Sequence, residues 1–346
     1  MSMKLFAAID IGSCEVEMKI FQITSGKGIK EIDCVCHRME LGKDVYRDGR
    51  IGVEMTDELC RVLNDFVRIM KGYRVDDWRV CATSAVREAG NQLVFLDRVK
   101  RHTGLEVEVL SNASQRFMDY KSIASRENEF NRIIQKGTAI VDVGGGSIQI
   151  SLFDKDRLVA SQNMKIGNLR LRERMMNEGV SLKHYETLLT EVVKNEFLSY
   201  KKLYLKDRVI SNLIVVGDHI GDAVHKNVMT RADFLNFYDD MIYRSDEDAA
   251  GRCEVPEDVI SVLRPSLVVY RCFLEAADVE NIWMPGLHLT DGMAYEYAQQ
   301  NRLLKLGHDF DEDILAAARN AAKRYQCSKS HIKVCEDLAV GIFDKI

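Results

Sequence analysis

Two short runs limit what this 346-residue chain can fold into. They are Ile9-Asp10-Ile11-Gly12-Ser13, near the start, and Val141-Asp142-Val143-Gly144-Gly145-Gly146-Ser147, before the middle. Each is an apolar strand that delivers an aspartate at its end and then breaks into a glycine turn. Glycine lets backbone N–H groups converge on an anion with no side chain in the way. An aspartate at that point can hold a hydrated divalent cation that bridges phosphate oxygens. One such turn says little; two, at matching points of two halves, say much more. The plainer alternative is a pair of tight strand turns with capping aspartates.

The surroundings of the two runs repeat as well. Leu5 to Ile11 reads as a strand, Val16 to Ile23 alternates as a half-buried strand, and Gly26 and Gly28 turn the chain into a third near Ile29 to His37. Thr138 to Val143, Ile148 to Phe153 and Leu158 to Lys165 follow the same order, with a turn at Asp154-Lys155-Asp156. Helical spacing marks Thr56 to Gly72 behind a Thr56 cap, then Asn91 to Thr103, Ser111 to Arg126, Ser181 to Lys202, Arg231 to Ile242, Glu257 to Ala277 and Met293 to Gln300. Each half mixes strands and helices around its own core. The fold class is therefore α/β, with domains over 1–125 and 137–300 and a ligand cleft between them. From about Asp309 only amphipathic helix remains, a helical segment over 305–346.

Composition closes off other classes. Hydrophobic residues make up 46% and charged residues 29%, with 3 prolines, which excludes long disorder and Pro-rich linkers. The net charge of −5 offers no basic excess for nucleic acid or anionic membrane. No apolar run approaches the ~18 residues of a membrane span, and the start is too short for a signal peptide. A cytoplasmic protein is expected. The 9 cysteines form no CxxC pair and are expected to be reduced. Cys34-Val-Cys36 before His37 reads as an ordinary strand edge, since no second ligand pair accompanies it.

The two loops, together with Ala82-Thr83-Ser84-Ala85-Val86-Arg87-Glu88-Ala89-Gly90-Asn91, resemble the exopolyphosphatase and guanosine pentaphosphate phosphatase (Ppx/GppA) family over about 300 residues. The glycine loops are shared across the actin-like phosphate-binding superfamily; the Ala-Thr-Ser-Ala-x-Arg run is distinctive of the family. The resemblance implies two actin-like (ribonuclease H-like) domains and a cleft that takes polyphosphate or guanosine penta- or tetraphosphate. It implies phosphate contacts from Gly12, Ser13, Cys14, Gly144, Gly145, Gly146 and Ser147, and Arg87 as a bidentate phosphate clamp. Asp10 and Asp142 would hold Mg²⁺, with K⁺ as a second candidate ion. A homodimer is compatible with it; nucleic acid and membrane partners are not expected.

The family hydrolyses a terminal phosphoanhydride. It uses a glutamate in Ser-Gly-x-Glu-Glu-Ala-Arg to activate water, and a second glutamate in Gly-Gly-Gly-Ser-Thr-Glu. This chain departs at both places. The first segment reads Ser111-Asn112-Ala113-Ser114-Gln115-Arg116, with no glutamate between Glu108 and Glu127; the second ends Gly146-Ser147-Ile148-Gln149. A glutamine can orient water but cannot take its proton. Asp119, four residues after Gln115 and on the same helix face, could supply a displaced carboxylate. A third departure puts Glu15 and Glu17 where the family has serine and arginine. These two carboxylates would repel a polyanion, bind metal, serve as a relocated base or simply face solvent. Asp218, His219 and Asp222 crowd a loop as metal ligands or as caps, and Leu289-Thr290-Asp291-Gly292 replaces Leu-Arg-Glu-Gly.

The tail resembles the opening of an HD-type helical domain, with His331 at the first metal position. The chain ends before the His-Asp pair, so no metal is expected there, and the sequence is either a short member or part of a longer chain. Three functions follow. The first is a Mg²⁺-dependent phosphoanhydride hydrolase, and the second a catalytically impaired sensor of a phosphorylated ligand. An actin-like kinase ranks last, since it lacks the Ala-Thr-Ser-Ala-x-Arg run.

Overall fold

A computed structural model of the chain describes residues 3–177, 182–205, 208–217, 219–304, 308 and 310–345. The first half runs β1 (Met3–Ile11), β2 (Glu15–Thr24), β3 (Gly28–Arg38), α1 (Leu41–Asp48), α2 (Val53–Tyr73), β4 (Asp77–Ala82), α3 (Ser84–Glu88), α4 (Gln92–Thr103), β5 (Val107–Val109), α5 (Asn112–Ala124) and α6 (Glu127–Ile133). The second runs β6 (Thr138–Val143), β7 (Ile148–Asp154), β8 (Arg157–Met164), α7 (Asn168–Asn177), α8 (Leu182–Tyr200), β9 (Asn212–Val216), α9 (Ile220–Val224), β10 (Val228–Thr230), α10 (Arg231–Met241), α11 (Asp246–Cys253), α12 (Glu257–Ala276) and β11 (Asn281–Trp283). Then come α13 (Leu289–Gln300), α14 (Phe310–Arg324) and α15 (Lys329–Phe343).

The two sheets share one topology except for β10, which adds an antiparallel edge strand to the second. Their orders are β3-β2-β1-β4-β5 and β10-β11-β9-β6-β7-β8. In each, three antiparallel strands are joined to parallel strands, and the first strand of the half lies in the middle. The registers match as well: Asp10 pairs with Glu17 across β1–β2, and Asp142 with Gln149 across β6–β7. Alternation then decides which face each side chain takes. Ile9, Ile11, Val16 and Met18 enter the outer core of the first sheet, with Leu59, Leu63 and Phe66 of α2. Asp10 and Glu17 are left on the opposite face, which looks toward α5 and α13.

That inner face accounts for a difference from the sequence expectation. β2 reads as half-buried, yet Glu17 and Lys19 are each only 5% exposed. α13 covers them: Leu289, Met293 and Tyr297 pack with Phe6, Phe21 and Ile23. So α13, grouped by sequence with the second half, sits on the first sheet. α5 bridges the two halves, its Met118 in that cluster and its Tyr120 and Ile123 packed with Ile140, Phe153 and Ile214 of the second sheet. Contact between α5 and α13 is close, and a Cβ on Gly292 would come within 2.1 Å of the Met118 carbonyl oxygen. Gly292→Ala is therefore expected to cost about 2 kcal/mol of stability, read as a lowered urea midpoint, since neither backbone can yield without displacing a helix.

Two further differences are local. Thr56 is not a cap: α2 starts after Gly52, and the Thr56 hydroxyl donates to the Gly52 carbonyl at 2.7 Å inside the first turn. α14 is docked, Asp313 accepting from the Leu158 amide at 3.0 Å and from His308 at 2.6 Å. α15, which carries His331, buries no residue.

Candidate active site

The loops close in the same way. Gly12 N–H donates to Glu15 O at 2.9 Å and Gly144 N–H to Ser147 O at 3.0 Å. They also meet. A Cβ on Gly145 would lie 2.7 Å from Ser13 Cβ and 2.9 Å from Cys14 Sγ; one on Gly146 would lie 2.1 Å from the Tyr46 hydroxyl. Only glycine permits this approach. Arg170 then stacks on Tyr46 at 4.0 Å and bonds Glu88 at 3.0 Å, while Arg172 forks onto Glu40 with two 2.6 Å bonds. These contacts hold the second half against the first.

What remains between the loops is a cavity of about 110 Å³, roughly the share of four water molecules. A larger groove of about 850 Å³ opens at the far end of the second sheet, beside Lys136 and Arg208, and holds neither aspartate nor either glycine loop. The chemistry belongs to the smaller one. Its wall includes Asp10, Gly12, Ser13, Cys14, Gln115, Asp119, Asp142, Gly144, Gly145 and Ser147. Three of the residues singled out by sequence lie elsewhere. Gly146 packs under Tyr46. Gln149 is buried behind Asp142, its Nε2 donating to Asp142 Oδ2 at 3.2 Å. Arg87 turns its guanidinium to Leu110 O at 2.6 Å and Gln115 Oε1 at 3.4 Å, one layer back from the wall.

The wall is acidic. Among the described residues it carries five carboxyl groups, Asp10, Glu15, Glu17, Asp119 and Asp142, two histidines, His219 and His288, and neither lysine nor arginine. Burial, with Glu17, Glu15 and Asp142 nearby, pushes Asp10 up to about 8. Burial and the charges of Asp142 and Asp10 hold Asp119 well above the carboxylate range. Burial pushes the Cys14 thiol up to about 12, so it is no nucleophile at neutral pH. Among the described residues, Asp10 Oδ1 and Asp119 Oδ2 are buried without a hydrogen-bond partner.

Such a group of carboxyls needs protons or a cation. Among the described residues no three acidic, histidine or cysteine side chains are gathered closely enough to hold a metal alone. Mg²⁺ does not ask for that: it takes one or two carboxylates and completes its octahedron with water and phosphate. The orphaned oxygen of Asp10 and the acid-rich wall fit it.

Glu15 and Glu17 do not face open solvent. Burial works against the charge of Glu15, but His219, Cys36 and Arg38 outweigh it and bring Glu15 down to about 2. His219, at the head of α9, lies 3.5 Å from both Glu15 and Asp222; Asp218 falls outside the described residues. Burial would lower His219, yet Asp222 and Glu15 raise it from 6.5 to about 9. The folded protein thus holds this proton more tightly than the unfolded chain. The pair contributes fully below about pH 6.5, and its contribution fades as pH rises through about 9. The difference in Tm between the parent and His219→Gln is expected to be widest near pH 6 and to close by about pH 9.5.

Glu17 is engaged by residues that sequence reasoning did not connect to it. His288 Nδ1 lies 2.8 Å from Oε1, and the Thr290 hydroxyl donates to Oε2. The signal was present only as an oddity, a Leu-Thr-Asp-Gly run where the resembled family has Leu-Arg-Glu-Gly.

Exopolyphosphatase 2 of Mycobacterium tuberculosis is 27% identical over 186 residues, 51% of this chain and 56% of that protein. A bifunctional 3-dehydroquinate synthase/phosphatase of Fusobacterium nucleatum is 27% identical over 180 residues, 49% of this chain and 26% of that protein. The chain thus spans about half of one relative's length and a quarter of the other's. Among solved structures, the Ppx/GppA family member of Aquifex aeolicus superposes with a TM-score of 0.69 at 22% identity, over 87% of this chain and 99% of that one, a likeness of fold. The family model of the Ppx/GppA phosphatase family matches residues 19–301, and the chain belongs to that family.

Proposed function

We propose that the chain hydrolyses a terminal phosphoanhydride, of polyphosphate or of guanosine pentaphosphate, in the cavity between the two glycine loops. Backbone N–H groups of the Ser13–Cys14 and Gly145–Ser147 turns, beyond the Gly12 and Gly144 amides that close each turn, cradle the terminal phosphate. Asp10 and Asp142 would hold Mg²⁺, which would supply charge neutralisation at the phosphoryl oxygens and offset a wall of five carboxyls toward a polyanion.

Asp119 accepts the proton of the attacking water. The observation that carries this is its position: a buried carboxyl in the wall, one helical turn past Gln115, with Oδ2 unpartnered. Burial and the charges of Asp142 and Asp10 favour its protonated form; a cation neutralising those two charges would free the carboxylate to take a proton. Gln115, beside it, is suited to orient the water.

A second reading is favoured by Gln149. Its amide, 2% exposed and bonded to Asp142, occupies the place of a family glutamate. On that reading the chain binds the phosphorylated ligand without turnover and signals by domain closure. Phosphate release from polyphosphate and from guanosine pentaphosphate, with Mg²⁺ and K⁺ and an active family member as control, separates the two. Turnover near the control's is expected; binding without release would establish the sensor.

A further inference from the structure

Glu15, Glu17 and Lys19 lie on the β2 face that also carries Asp10. Each is held by a partner from far along the chain: His219, His288 and Asp291. Glu17 matters most, because it stands opposite Asp10 as Gln149 stands opposite Asp142. Both of its oxygens are committed, one to His288 and the other to Thr290. Glu17 is thus placed to hold the imidazole. His288, with Nδ1 beside Glu17, is one of the residues of the cavity wall.

None of the lysines or arginines near the site lines the cavity among the described residues; Arg116, whose charge reaches Asp119, has a buried Nε with no partner among the described residues, and the others are engaged. Lys19 bonds Asp291 at 2.9 Å and Glu31 at 3.2 Å. Arg38 bonds Asp258 at 3.2 Å, and Arg87 is turned to Leu110. Arg170 and Arg172 serve Glu88 and Glu40. His219 has Asp222 at Nδ1 and Glu15 at Nε2.

We propose that His288 is the phosphate-contacting cation of this site, donating from Nε2 to the phosphoryl oxygens while Glu17 and Thr290 fix its ring. The proposal rests on the hydrolase reading of the cavity and deepens it. A carboxylate-bound imidazolium supplies what an arginine would: positive charge, and an N–H of fixed direction. Burial alone would strip its proton, but the Glu17 carboxylate outweighs burial and holds the imidazole above its ordinary range. Glu17 and Thr290 both stand where the resembled family has arginines. Together with His288 they form one hydrogen-bonded unit that replaces them.

The test uses the full chain, Mg²⁺ and inorganic tripolyphosphate. Calorimetry should show binding to the parent and about 10- to 100-fold weaker binding to His288→Gln, the loss of one charge-assisted contact. A second measurement needs no variant. In the parent labelled with ¹⁵N-histidine, the Nε2 resonance of His288 should move as tripolyphosphate is added. Binding to the parent with equal affinity for His288→Gln, or with an unmoved resonance, would overturn the assignment and leave the hydrolase reading intact. If His288→Gln does not fold, the resonance decides. No binding to the parent in the presence of Mg²⁺ would remove the reading of the cavity itself, and this proposal with it.

Discussion

Asp119→Asn is expected to lower phosphate release at least 100-fold with little change in KM. General bases contribute about 10²–10⁴-fold, and the substitution is isosteric, so the packing of α5 on α13 survives. The same change should raise stability in the absence of Mg²⁺. Asp119 is held well above the carboxylate range by burial, Asp142 and Asp10, and an amide relieves that repulsion. Loss of turnover with a higher Tm is a pattern that damage to the fold cannot produce. Undiminished release from Asp119→Asn would show that some other group takes the proton. Glu17 would be the poorer candidate: burial works against its charge, but His288, Lys19 and Thr290 hold it below its ordinary range.

Much of this architecture was legible in the sequence, because period and punctuation act locally. Strand β6 and helices α4, α5, α10 and α12 fall within a residue or two of the patterns that announce them. The symmetry of the two aspartate loops is visible as text and reappears as matched registers. The short elements α1, α3, α7, α9 and α11 carried no usable signal. α3 is five residues long, and its helical turn is set by the Arg87 amide bonding back to Thr83 rather than by any apolar stripe. β2 was misjudged for the opposite reason. Its charged alternation is real, but the solvent it implied is replaced by α13, some 270 residues later. Long-range pairing also hid the Glu17–Thr290–His288 unit. Nothing within a strand's own pattern tells whether Glu17 faces water or a histidine from the other end of the fold. Arg87 shows the limit of motif transfer. The Ala-Thr-Ser-Ala-Val-Arg run places it correctly in the chain, yet Leu110 O and Gln115 take its guanidinium.

Gln149→Glu is expected to destabilise the metal-free protein by about 3 kcal/mol and to leave turnover within a few-fold of the parent's. Gln149 Nε2 now donates to Asp142 Oδ2 at 3.2 Å in a site 2% exposed. The substitution exchanges that donor for an acid beside a buried carboxyl group, with Asp10 and Asp119 already close. One of the two must keep a proton or remain unpaired, and losing a buried partner costs on this scale. Mg²⁺ should recover most of the loss, because a cation on Asp142 stabilises the new carboxylate as well; thermal unfolding with and without Mg²⁺ reads this directly. Turnover should stay put because Gln149 lies behind Asp142 rather than in the cavity wall, out of reach of the attacking water. A gain of 100-fold or more would instead mean that the missing family acid was all the site lacked. Asp119 would then lose its assigned role, and the parent would be a binding protein on a hydrolase scaffold. The two substitutions thus constrain each other: a proton acceptor already present at Asp119 makes one at 149 redundant, and a large response at 149 requires that Asp119 be idle.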